Sequence, residues 1–76
     1  MVMETLTPRE HQVCAGLLAG RRYREIGQEL GLRRHSVAAL AKRVYRKTGC
    51  NGRAALLRHA ILRGWVAGTD RRLFWT

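Results

Sequence analysis

The fold is decided by residues 23–48, YREIGQELGLRRHSVAALAKRVYRKT. Tyr23, Ile26, Gly27 and Leu30 recur at i, i+3, i+4 and i+7, the spacing of one helix face. Val37, Leu40, Ala41, Val44 and Thr48 trace a second such face. A very short turn at Gly31–Leu32 joins the two helices. The far side of the second helix carries His35, Ala38, Ala39, Lys42 and Arg46, with Arg34 and Arg43 at its margins. An aliphatic face for a core, backed by a basic face with small residues, suits a helix–turn–helix whose second helix enters the DNA major groove. The expected partner is double-stranded DNA.

Upstream, Leu6-Thr7-Pro8-Arg9-Glu10 has the form of a helix start. Thr7 takes the N-cap, Pro8 the first turn where its missing N–H costs nothing, and Glu10 closes a capping box. The helix that follows sets Val13, Cys14, Leu17 and Leu18 on one face, and Gly20 ends it. The next helix runs from about Arg22 to Leu30, the third from about Arg34 to Lys47, and a fourth from about Arg53 to Arg63, stopped by Gly64. The expected architecture is therefore all-α with four helices over residues 6–66, between a frayed start (1–5) and a tail (67–76). In the fourth helix Ala54, Leu56, Leu57, Ala60, Ile61 and Leu62 wrap further round than one core stripe requires, as in a helix that is deeply buried or lies at an interface. Self-association as a homodimer is the expectation, with simple core packing beside it.

With 76 residues and 46% hydrophobic content the chain makes one domain with one modest core. Fifteen Lys+Arg against five Asp+Glu give a formal charge of +10, whose self-repulsion calls for a polyanionic partner. Arg21, Arg22 and Arg24, at the start of the helix that crosses the backbone, are expected to hold phosphates. No apolar run approaches the ~20 residues of a spanning helix, and no signal peptide opens the chain, so the expected setting is the cytoplasm of a bacterium, at the nucleoid, including for a phage product. Cys14 and Cys50 lie far apart and read as two reduced thiols. His11, Cys14 and His59 lack paired metal-ligand spacing, so neither metal nor cofactor is expected. With no phosphate loop and few carboxylates, enzymatic activity is not expected.

Residues 6 to 66 resemble the LuxR-type (GerE-like) DNA-binding domain. The resemblance rests on LTPRE (6–10), the EI…L of the second helix, the Ser36-Val37 start of the third, and Lys47, Gly49 and Arg53 in order and spacing. It implies a four-helix domain, helix three in the major groove, helix four at a dimer interface, and transcriptional regulation as the role. The DNA-contacting set expected is Arg22, Arg24, Arg33, Arg34, His35, Ser36, Ala38, Lys42, Arg43 and Arg46. Helix four is expected to form its seam through Leu56, His59, Ala60 and Arg63.

Several positions depart from the family pattern. Arg22 and Arg33 stand where relatives usually carry a Ser or Thr N-cap, an absence that costs ~1 kcal/mol each. Ala38 replaces the usual lysine and Leu40 a frequent histidine. Base readout then falls to Arg34, His35 and Lys42, or to Ala38 touching a thymine methyl. Ser36 matches the family threonine as a phosphate contact. The opening methionine favours a stand-alone regulator over an excised domain. The tail ends in Leu73, Phe74 and Trp75, which either fold back on the domain or dock on RNA polymerase or another regulator. Two further readings stand beside this one. EIGQELGL is also similar to the promoter-recognising region four of sigma factors. Ala38 and the apolar tail would also suit an adaptor or antagonist with weak or nonspecific DNA binding. A membrane-active helix is excluded by the breaks at Gly20, Gly31 and Gly49.

Overall fold

A computed structural model describes residues 6–65 of the chain. The expectations for residues 1–5 and for the tail, with Leu73, Phe74 and Trp75, fall outside these residues. Four helices follow in order: α1 (Pro8–Leu18), α2 (Tyr23–Leu30), α3 (Arg34–Thr48) and α4 (Arg53–Leu62). Each expected boundary is met within one residue, the usual fraying of helix ends.

The local signals act as their chemistry requires. Thr7 Oγ1 accepts from the Glu10 N–H at 3.2 Å, and Glu10 Oε1 accepts from the Thr7 N–H at 2.9 Å, closing the box at the start of α1. At its end the Gly20 N–H donates to the Leu17 carbonyl and the Arg21 N–H to that of Gly16, a Schellman closure. Gly31 turns left-handed (φ 70°) after α2, and the Leu32 N–H returns to the Gly27 carbonyl at 2.8 Å. That closure lets α3 start three residues after the turn glycine, packed on α2.

Val13, Cys14, Leu17 and Leu18 of α1, Ile26 of α2, Val37, Ala41 and Val44 of α3, and Leu56 and Ala60 of α4 form the core. Each large aliphatic side chain so buried contributes about 1.5–3 kcal/mol. Gly16 permits the close seating of α2 on α1, since a Cβ there would stand 2.7 Å from Ile26 Cγ1. Burial pushes the Cys14 thiol up to about 12, helped by nearby Cys50, so it stays protonated and packs as a small apolar group.

The fourth helix requires a correction. Leu56 and Ala60, expected in a dimer seam, are both 0% exposed within a single chain. They lie four residues apart and face inward, so they hold α4 to its own core and present nothing to a second copy. The large apolar side chains left outside are Ile61 (40% exposed) and Leu62 (77%). Arg63 is exposed, and half-buried His59 meets the Trp65 ring edge-on at 5.2 Å.

Candidate nucleic-acid interface

The inward stripe Val37, Ala41 and Val44 fixes the rotation of α3 about its axis and so decides which side chains face solvent. His35, Ala39, Lys42, Arg43 and Arg46 are exposed, and Ser36 and Ala38 are half-buried at the margin. One face of α3 thus gathers His35, Lys42, Arg43 and Arg46 of the residues expected to meet DNA, with Ser36 and Ala38 less available. From Arg34 to Arg46 this surface runs about 18 Å at 1.5 Å per residue.

Its charge is not diluted. Neither α3 nor α4 contains an acidic residue. The carboxylates of the described residues are committed elsewhere. Glu10 binds Lys47 Nζ at 2.7 Å, Glu29 binds Arg21 Nη1 at 2.6 Å, and Glu25 accepts the Arg22 backbone N–H at 2.8 Å. Arg21, expected on a phosphate, lies just before α2 and is held in that ion pair by Glu29 near the end of the helix.

Arg22 and Arg33 do occupy the N-cap positions of α2 and α3, in extended backbone and without a side-chain cap bond. A guanidinium has no acceptor, so it cannot bond the orphan N–H groups of a helix start. At α2 only the Glu25 half of a capping box forms.

The packing of the helices assembles one feature that periodicity does not show. Arg22, Tyr23, Arg24, Arg34 and Arg53 line a single open concavity where the first turns of α2, α3 and α4 meet. The Arg53 guanidinium lies over the Tyr23 ring, 5.7 Å from its centroid, and its Nη1 donates to the Leu17 carbonyl at 3.5 Å. Arg22, Arg24 and Arg34 were expected at an interface, whereas Tyr23 read only as a core residue and Arg53 only as part of a spacing. The legible signal for Arg53 was its charge, since a cation in a first helical turn opposes the helix dipole.

A short α2 crossing the start of α3, whose outer face is basic and free of carboxylates, defines a helix–turn–helix DNA-binding domain. Residues 4–60 match the family described as bacterial regulatory proteins, luxR family (GerE). The chain belongs to this family of DNA-binding transcription regulators. It is also similar to a solved structure, that of the phage VqmA–DPO complex, at 30% identity with a TM-score of 0.76. The match covers 83% of this chain but 29% of the other, so the chain spans less than a third of that protein's length. No curated protein matches the sequence. Among the described residues no helix is long and apolar enough to cross a membrane, and no group of three or more His, Cys, Asp or Glu is placed to hold a metal.

Proposed function

We propose that this chain regulates transcription by inserting α3 into the major groove of duplex DNA and pairing as a homodimer through α4, in the cytoplasm. The observation that carries the reading is the α3 surface, where exposed Lys42, Arg43 and Arg46 continue from His35 with no carboxylate on the helix. His35 and Lys42 read base edges, Arg34 and Ser36 meet phosphates, and Ala38 and Ala39 leave room for the groove wall. Exchanging Lys42 and Arg46 for alanine is expected to weaken duplex binding and flatten its salt dependence, by about 0.9 of log–log slope for each phosphate no longer neutralised. Unchanged affinity together with an unchanged slope removes both residues from the interface. Selection from a random duplex pool tests specificity, since a dimer enriches a palindrome with half-sites about one turn apart.

The adaptor reading has one observation in its favour. Leu62 is 77% exposed beside Ile61, an apolar pair that a protein partner, whether RNA polymerase or another regulator, would cover as well as a second copy would. Failure of the selection to enrich any sequence shifts weight to this reading.

A further inference from the structure

We infer that the concavity between the first turns of α2, α3 and α4 seats one backbone phosphate of duplex DNA, with Arg53 of α4 as its fixed ligand. This rests on the DNA-binding reading and adds a residue from outside the helix–turn–helix to the interface.

The lining is Arg22, Tyr23, Arg24, Arg34 and Arg53, four guanidiniums and no carboxylate. Like charges gathered in one hollow repel, and here nothing anionic in the lining relieves them. Glu25, the nearest acid in sequence, turns its Oε1 to the Arg22 backbone N–H. Three of the four arginines come from different helices, approaching the hollow from different sides. That disposition matches the tetrahedral oxygens of a phosphate better than the two coplanar oxygens of a carboxylate.

Arg53 differs from the other three. Arg22, Arg24 and Arg34 are exposed, whereas Arg53 is half-buried and held by the Tyr23 ring and the Leu17 carbonyl. A guanidinium has five N–H donors, so the bond to Leu17 leaves others for a ligand. Its orientation is set before binding, which lowers the entropy lost when an anion arrives. The source of the phosphate follows from position. Arg34, on the rim, is the first residue of α3, and the basic surface continues from it through His35 to Arg46. A DNA backbone can occupy the hollow and follow that surface, while a free anion would use the hollow alone.

The test compares binding of a short fluorescent duplex across a salt series for the wild type, Arg34→Ala, Arg53→Gln, the double variant, and Lys42→Ala as a position outside the hollow. Glutamine at 53 keeps a donor for the Leu17 carbonyl, and circular dichroism checks each fold. Arg34 is an exposed first-turn residue, so its variant reads the seat even where Arg53→Gln melts early. One shared phosphate predicts weaker binding for each single variant and a drop of about 0.9 of log–log slope in the double variant, not the roughly 1.8 of two separate phosphates. A drop near 1.8, or none, overturns the single seat while duplex binding and its Lys42 dependence keep the regulator reading. A wild type that binds no duplex overturns both. Pyrophosphate supplies the other arm. If it raises the melting temperature of the wild type but not of the double variant, while the duplex slope stays unchanged, the seat belongs to a free phosphate and the proposal falls.

Discussion

Glu10 shows how much one residue can carry in a domain this small. It is 2% exposed and still accepts from Lys47 Nζ at 2.7 Å and from the Thr7 N–H at 2.9 Å, tying the start of α1 to the end of α3. The Lys47 hydrogen bond, opposed by desolvation and helped by Thr7, holds its carboxyl below the ordinary 4.5. Burial holds the neighbouring His11 below its ordinary 6.5. Both shifts are downward, so the unfolded chain binds more protons and stability is lost as pH falls. The denaturant midpoint is therefore expected to drop in two stages, first below pH 6.5 as the His11 difference opens, then below pH 4.5 as Glu10 titrates. Glu10→Gln, which retains an acceptor for Thr7, should abolish the lower stage, and its persistence would assign that stage to another group. Removing the cation is harsher. Lys47→Met leaves a buried carboxylate without its partner, at a cost of about 1–2 kcal/mol by urea titration, short of the roughly 3–5 for a fully buried pair. The smaller figure follows from the lysine side chain, which is 37% exposed.

At the scale of the helix, α1 to α3 were legible because each carries punctuation and a single apolar stripe. The Thr7–Glu10 box, Gly20, Gly31 and Gly49 mark ends that the structure places within a residue of expectation. The fourth helix was legible in extent but not in rotation. Ala54, Leu56, Leu57, Ala60, Ile61 and Leu62 cover its circumference, so periodicity names no inner face, and only packing against α1 and α3 selects Leu56 and Ala60. The basic hollow was hidden for a related reason. Tyr23, Arg34 and Arg53 sit on three helices, and their convergence depends on crossing angles that no single helix encodes. The rotation of α4 changes which substitution can probe a dimer. Leu56→Glu buries a charge at a cost on the order of 5 kcal/mol, comparable with the whole stability of a small domain, and is expected to abolish the helical circular-dichroism signal. Leu62→Glu alters an exposed position, so the fold should survive while sedimentation shifts from dimer to monomer. A Leu62→Glu chain that sediments as a dimer would move self-association off this face of α4.

For the whole molecule the deciding quantity is the formal charge of +10 and its uneven placement. Glu10, Glu25 and Glu29 lie on α1 and α2, with only Glu10 reaching α3 through Lys47, whereas the charged residues of α3 and α4 are cations alone. Folding concentrates this excess, and repulsion within it opposes the compact state. Salt therefore acts on folding and on binding with opposite signs. Screening relieves the repulsion, while counterion release makes DNA affinity fall. The local ion pairs do not reverse the first effect. Arg21–Glu29 is about half exposed on both sides and contributes under ~1 kcal/mol. Lys47–Glu10 is screened less, because the carboxylate is buried. Raising salt from about 0.02 to 0.2 M, which shortens the Debye length from roughly 20 to 7 Å, should thus raise the melting temperature of the free protein. If the relief amounts to about 1 kcal/mol, the rise is roughly 4–8 °C for a domain of this size. Sulfate is avoided in this series, since an anion seated in the arginine hollow would stabilise the fold by binding and not by screening. The wild type and the Arg34→Ala/Arg53→Gln chain measured side by side in chloride separate diffuse from local repulsion. The variant has two fewer cations, so it should gain less from salt, whatever the melting temperature from which it starts. A wild type whose melting temperature falls with chloride would show that its few ion pairs outweigh the excess charge, and the fold would then need no polyanion to offset it.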